Sequence, residues 1–261
     1  MGKVYLVGAG PGAPDLLTVR AARLLGEADI VFHDALIGRE ILSLAPRATL
    51  VAVGKRCGRH STAQQFINKR LVDAARRFSV VVRLKGGDPM LFGRAQEELG
   101  FLQKHGIAAE VVPGITAALA ASAELGVSLT QRLLARSVVF ATPRTAPGGK
   151  PSGWEKAVAA ADTAVLYMAA GEAQTVRDAL LAAGRPANTP VALAESVSLD
   201  SAYFTGTLGE LPGLATNLRG GPALVLLGEV FAATLIRGQG ANCAGTMCET
   251  YCDPDPELRC A

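Results

Sequence analysis

The sequence predicts an α/β fold, and three observations carry the prediction. The first is the run Val81–Leu84, which passes into Lys85-Gly86-Gly87-Asp88-Pro89 and then into a helix start bearing Arg94, Glu97 and Glu98. It reads as a buried strand that ends abruptly in a glycine turn. The second is the same architecture at the N-terminus. There the short apolar strand Lys3–Val7 precedes Gly8-Ala9-Gly10-Pro11-Gly12-Ala13-Pro14-Asp15 and a helical run from Leu16 to Glu27. The third is the alternation of strand-like and helix-like segments over short links, which implies a mainly parallel sheet. Ligands of open α/β sheets bind beyond the carboxyl ends of the strands. Two glycines let the backbone approach a ligand closely, Asp88 can bond to it, and Pro89 stiffens the exit. Two such loops in one sheet point to a single extended small ligand.

The elements follow in order. Strands are expected at 3–7, 30–33, 49–53, 80–84 and 109–112, separated by helical segments near 16–27, 38–45, 63–77 and 94–105. Thr116–Leu125 is a helix rich in small residues after the Pro113-Gly114 turn. A second unit opens near Arg136 with the strand Ser137–Ala141 and a Gly/Pro-rich loop from Pro143 to Gly153. It continues with the strand Thr163–Met168, the helix Ala173–Ala183 and strands near 190–195, 202–207 and 223–227. No internal repeat of fixed period is present. The division expected is an N-terminal α/β domain over 1–133, a C-terminal α/β domain over 134–237, and a tail over 238–261.

The first loop resembles a dinucleotide fingerprint, and Asp34, after the next strand, stands where a ribose-binding acid would be expected. Yet the spacing is G-x-G-P-G, without the third glycine of that motif. Pro11 also removes a backbone N–H that would cradle a pyrophosphate. The loop suits a ligand without phosphates better than a dinucleotide, and a plain structural turn is the other reading.

Composition is that of a globular enzyme, with 49% hydrophobic and 19% charged residues. No uninterrupted apolar run reaches the roughly 18–20 residues that span a bilayer. The chain begins in a strand, with no basic and apolar leader, so a cytoplasmic protein without a membrane partner is expected. The net charge of +3 is unevenly placed. Lys55, Arg56, Arg59, His60, Arg83, Lys85, Arg94, Arg132 and Arg136 fall at strand ends or in adjacent loops, where each is either a solvated charge or part of an anion-binding rim. With only 5% aromatic residues and no aromatic-interleaved basic stripe, nucleic acid is not the expected partner.

An ordered series of segments then stands out along the chain as far as about Arg237. It comprises Val7–Gly12, His33-Asp34-Ala35-Leu36, Gly54-Lys55-Arg56, Arg83–Pro89, Phe92–Glu98 and Val112–Thr116. Leu129-Thr130-Gln131-Arg132, Tyr167-Met168 and the late strands Pro190–Glu195 and Pro222–Glu229 complete it. In these segments the chain resembles the uroporphyrinogen-III C-methyltransferases of the tetrapyrrole methylase family. The resemblance implies two α/β domains with S-adenosylmethionine, a cofactor without phosphates, in the cleft between them. It also implies a homodimer that methylates uroporphyrinogen III at ring positions C2 and C7 to give precorrin-2. Cofactor contacts are implied from Pro11, Gly86, Gly87, Asp88, Leu91, Thr116, Ala117, Met168 and the segment Ala192 to Val197. Residues matching Asp34, Lys55, Arg94, Glu97 and Arg132 are implicated in substrate binding or proton transfer. On sequence grounds alone Thr116 reads as a helix cap and Met168 as core.

Methyl transfer from a sulfonium is a displacement governed by positioning, after which a proton leaves the macrocycle. A carboxylate base is therefore useful, as are cations for the eight carboxylates of such a substrate. Asp34, ending a strand beside the first glycine loop, is one candidate base, and a turn or capping acid is its other reading. Glu97 is the second, and it also reads as the partner of Arg94 three residues away on the same helix face. The sequence departs from the family pattern at Ala13, Ala95-Gln96, Gln131, Thr142-Pro143-Arg144, Ala169 and Ser198–Ser201. A sister methylase of later corrinoid intermediates and a non-catalytic tetrapyrrole carrier are the alternatives, with a dinucleotide dehydrogenase behind them. In the tail, Cys243, Cys248, Cys252 and Cys260 are spaced C-x4-C-x3-C-x7-C, which matches no common zinc or ferredoxin pattern. No metal site is expected, and the tail reads as a flexible segment with reduced thiols, a metal or redox accessory site being the other reading.

Overall fold

The computed structural model describes residues 1–53, 64–145, 148 and 152–237. The chain first builds a five-stranded sheet from β1 (Lys3–Gly8), β2 (Ile30–His33), β3 (Thr49–Ala52), β4 (Val80–Lys85) and β5 (Ala109–Val112). The spatial order is β3-β2-β4-β1-β5, and every pairing is parallel. Between the strands run α1 (Val19–Glu27), α2 (Arg39–Leu42), α3 (Gln64–Ala75) and α4 (Ala95–Lys104). Side chains alternate across the sheet. Val4, Leu6, Phe32 and Val81 meet α3 and α4 on one face, while Val7, Val31, Val82 and Leu84 meet α1 and α2 on the other. Connections stepping one way along the sheet carry α1 and α2, and those stepping back carry α3 and α4. That is the result of right-handed crossovers.

Helix α5 (Ala117–Leu125) follows β5 in the chain but packs on the second sheet, where Ala118, Ala120 and Ala121 touch Val165, Ala192 and Leu226. Its alanines let its backbone come close to that sheet. The second sheet holds β6 (Val138–Ala141), β7 (Thr163–Tyr167), β8 (Pro190–Glu195), β9 (Ala202–Thr207) and β10 (Ala223–Gly228), in the order β6-β7-β10-β8-β9. Its opposite face is covered by α6 (Trp154–Ala160), α7 (Ala173–Ala182) and α8 (Leu211–Ala215), and α9 (Ala232–Arg237) closes the described chain. The first sheet is parallel as its alternating strands and helices predict. In the second, β6–β7 is the one parallel pairing among the described residues, and the rest are antiparallel. For β8 and β9 the cause is the short link 196–201, which can join them only as an antiparallel pair.

Other differences are local. The first helix starts at Val19 instead of Leu16, because Pro14–Leu16 forms a 3₁₀ turn and the Thr18 hydroxyl caps α1 by accepting from the Ala21 N–H at 3.1 Å. Helices α6 and α8 fall where the sequence raised no expectation. Both are short, and α8 carries Pro212 and Gly213, which read as a turn. The cysteine tail, Lys55, Arg56, Arg59 and His60 lie outside the described residues.

Candidate functional site

In the first sheet the connections leaving β1 and β4 run in opposite directions, so the gap between these strands is the topological switch point, the usual ligand position. The two glycine loops meet there. Gly10 and Gly87 form an antiparallel bridge, Gly87 donating to the Gly10 carbonyl at 2.7 Å and Gly10 to that of Gly87 at 3.2 Å. The third loop, after β5, closes on both. A Cβ on Gly8 would stand 2.6 Å from the Gly114 Cα, and one on Gly114 would stand 2.3 Å from the Gly87 carbonyl oxygen. Asp88 ties the set together: its carboxylate accepts from the Gly114 N–H at 2.9 Å and from the Met90 N–H at 2.8 Å. Its side chain thus ties the three loops together. Gly86 differs from its neighbours, since a Cβ there would meet nothing within 4 Å. Its backbone edge is open.

The second sheet brings its own loops to the same place. β6, β7 and β8 point in one direction, so Ala141, Tyr167 and Glu195 end on one side. The Tyr167 hydroxyl lies 2.5 Å from the Thr116 hydroxyl and accepts from the Ala118 N–H at 3.3 Å. The tyrosine therefore caps α5. Thr116 makes no cap bond of its own, contrary to the sequence reading. Burial holds the Tyr167 phenol above the ordinary tyrosine range, and its ring lies 5.1 Å from that of Phe92, between centroids. Met168 is half-exposed with φ of 58°, and Ser196 and Ser198 share that left-handed conformation. Such backbone is costly for residues with a Cβ and collects at functional sites. The Ser198 hydroxyl accepts from the Ala13 N–H at 3.0 Å, and Leu199 sits against Gly12, so the β8 loop closes over the first glycine loop. Glu195, fully buried, fixes the base of that loop by accepting from the N–H groups of Arg219 and Gly221. Sequence reading missed it, although an acid ending an apolar strand was a visible signal.

One strand spacing away, β2 delivers Asp34, whose carboxylate takes the Arg83 guanidinium at 2.6 Å. Arg83 also donates through Nε to Glu98 at 3.1 Å, and Lys85 reaches both Glu98 oxygens at 3.3 Å. Gln64 adds a bond to Glu98 at 2.9 Å. Arg83 and Lys85 are 3% and 5% exposed and Glu98 is 0%. They form a buried charge network, not the carboxylate-binding rim suggested by their positions at a strand end. Burial is the main reason that the Lys85 ammonium titrates below the usual lysine range, with Arg83 acting in the same direction and Glu98 opposing. Arg94 and Glu97 remain at the surface as a bidentate pair with both bonds at 2.7 Å. Their mutual bond lowers the Glu97 carboxyl and raises the Arg94 guanidinium.

The other expected residues take several positions. Pro11, Leu91, Ala117 and Val197 sit in the loops or helix start that line the cleft, but Ala192 is fully buried in the third position of β8, facing α5. Arg132 lies in a tight turn closed by the Gln131–Ala135 bridge. That turn leads to Arg136, whose N–H bonds Asp162 at the start of β7. Lys55 lies outside the described residues.

The comparison with known proteins decides what kind of molecule this is. Residues 3–212 match the model of the tetrapyrrole (corrin/porphyrin) methylases. The chain belongs to the tetrapyrrole methylase family. Among its relatives is a sirohaem synthase of Pseudomonas fluorescens, 47% identical over 232 residues, or 88% of this chain and 50% of that protein. A sirohaem synthase of Chromobacterium violaceum is likewise 47% identical, over 49% of its length. The chain thus spans about half the length of these relatives. Among solved structures, a uroporphyrin-III C-methyltransferase from Thermus thermophilus complexed with S-adenosylhomocysteine is 40% identical. It has a TM-score of 0.79 over 89% of this chain and 100% of that one. A cobalt precorrin-4 methyltransferase is 27% identical, with a TM-score of 0.77 over 88% of this chain and 95% of that one. For a family member the cleft at the carboxyl ends of both sheets is the natural place for the reaction.

Proposed function

We propose that this chain is an S-adenosylmethionine-dependent methyltransferase that converts uroporphyrinogen III to precorrin-2, working as a cytoplasmic homodimer. The observation that carries the reading is the cleft itself, where backbone from Gly10–Gly12 and Gly86–Gly87 faces Thr116, Met168 and Ser196–Leu199. Its lining fits this cofactor. The Gly86 edge is open to a ligand, while Pro11 withholds the N–H that a pyrophosphate would need. The cofactor supplies an activated methyl group on a sulfonium. The chain's residues hold the reactants in line, and that positioning is the main source of rate. The loop closed by Ser198 and Leu199 limits water. Asp34, held by Arg83, is the candidate proton acceptor, with Glu97 the second candidate. Arg94 stands ready to exchange Glu97 for a substrate carboxylate.

Among the described residues no helix is long and apolar enough to cross a membrane. A later corrinoid intermediate is the second substrate reading. The precorrin-4 enzyme supports it by a TM-score of 0.77, close to the 0.79 of the uroporphyrin-III enzyme, and its lower identity places it behind. The decisive experiment incubates the chain with S-adenosylmethionine and uroporphyrinogen III, following S-adenosylhomocysteine release and precorrin-2 absorbance. Calorimetry should show micromolar or tighter binding of S-adenosylhomocysteine and none of NAD. Tight NAD binding with no methyl transfer would overturn the reading.

A further inference from the structure

The least expected charge in the molecule is Glu98. It lies one residue beyond the Arg94–Glu97 pair, at the first turn of α4, and its side chain is 0% exposed. A buried carboxylate is stable only when paired and fully bonded. Glu98 meets that demand with two cations from β4, Arg83 and Lys85, and with the Gln64 amide from α3. Gln64 is in turn oriented by its bond to Asn68 at 3.0 Å. Arg83 has further bonds to the carbonyls of Leu84 and Phe32, and its last amino group goes to Asp34. The guanidinium is therefore held on several sides and presents one edge to the Asp34 carboxylate, which is 30% exposed at the cleft.

We propose that Glu98 is a positioning residue for methyl transfer, a single buried carboxylate that holds Arg83 and Lys85 in place and thereby fixes Asp34 at the reacting edge of the cleft. The inference rests on the functional reading above and extends it to a residue that touches neither substrate nor cofactor. Two buried cations beside one another would repel without an anion between them, and Glu98 is shared by both. Without its charge the buried pair keeps Asp34 as its directly bonded carboxylate, so Lys85 would be drawn toward the group that Arg83 now holds alone. Besides these, the ionisable neighbours on α4 are Arg94 and Glu97, and Glu97 lies within electrostatic range of Lys85.

The test is Glu98→Gln, which keeps the shape and an oxygen that accepts from Arg83, removes the charge, and turns the second oxygen bonded by Lys85 into an amide donor. Removing a negative charge favours the deprotonated form of every group around it. Both limbs of the kcat-against-pH profile should move to lower pH, on the order of one pH unit for groups this close. The maximal kcat should fall about tenfold, since the geometry of an acid–base group is worth a factor of that size or more. The KM for uroporphyrinogen III and the affinity for S-adenosylhomocysteine should stay within about twofold. A second readout needs no turnover: in protein labelled at lysine Cε, the Lys85 resonance should titrate at lower pH in E98Q than in the parent. A profile that loses height without moving, or a Lys85 titration that stays in place, would overturn the proposal. Loss of cofactor affinity equal to the loss of kcat would do the same. A parent that transfers no methyl group sinks the functional reading and the positioning role with it, whereas a failure confined to E98Q leaves that reading intact.

Discussion

At the scale of single residues, the glycines of the cleft divide into two kinds that one motif in the sequence does not separate. Gly8 and Gly114 are closed on by backbone, with added Cβ atoms 2.6 Å and 2.3 Å from their neighbours, while the space beside Gly86 is open. Gly114→Ala should therefore lower stability by about 3 kcal/mol or prevent folding, because the clash is with main chain that cannot rotate away. Gly86→Ala should fold with an unchanged melting temperature and lose S-adenosylhomocysteine affinity. Thermal unfolding and calorimetry on the two variants separate the roles, and equal melting temperatures would show that the packing has been misjudged. Tyr167 is the other residue whose work is specific. Tyr167→Phe strands the Ala118 N–H and the Thr116 hydroxyl, at a cost of about 1–3 kcal/mol for partly buried groups. Urea denaturation should show that loss. A fall of under half a kilocalorie would mean that water replaces the phenol.

At the scale of elements, the start of α4 stores strain where the site needs reach. Arg94 caps the helix with φ of 57°, a conformation that glycine adopts freely. Arg94→Gly should raise stability by about 1 kcal/mol while lowering the use of uroporphyrinogen III and sparing cofactor binding. Stability that falls would show that the Glu97 pair outweighs the strain. The strands of the first sheet were legible because β1, β4 and β5 run into glycine or proline turns and β2 is a short apolar run closed by His33 and Asp34. The antiparallel half of the second sheet was not, since periodicity marks a strand without giving its direction. Helices α6 and α8 escaped because a helix of two turns or fewer shows almost no periodicity. The charge network escaped for a different reason. Arg83, Lys85 and Glu98 read as surface by residue type, and what brings them together is a crossover from β4 into α4. One sign was present: Arg83 interrupts the otherwise apolar run Val80–Leu84. The contact of Thr116 with Tyr167 joins residues fifty-one positions apart and left no local mark.

At the scale of the whole molecule, the two sheets meet through loops and α5, and each sheet has its own fastenings. Asp162 is one of them. It accepts from the N–H groups of Arg136 and Ser137 and from the Ser137 hydroxyl, which pins the entry of β6 beside β7. These bonds, that of Arg136 first, hold its carboxyl below the ordinary aspartate range. A carboxyl depressed by folding adds stability that is present above the unfolded value of about pH 4 and is lost as pH falls through the lower folded value. Asp162→Asn should therefore be less stable than the parent at pH 7, with the gap closing as pH drops below 4. Melting curves across that range check the sign, and a gap that widens in acid would refute the assignment.

The packing of Gly8, Gly87 and Gly114 against one another also bears on how the molecule can change. Three loops that follow three different strands meet there, and main chain fills the space that a side chain on Gly8 or Gly114 would take. A substitution in one of them cannot be accommodated by moving that loop alone. Variation at this corner must therefore arrive as a coordinated set, and the loop after β8 is drawn into it where Ser198 and Leu199 rest on the first glycine loop. A designer who wishes to transplant the cleft onto another sheet would have to carry all three loops together, with the facing loop that lies on them.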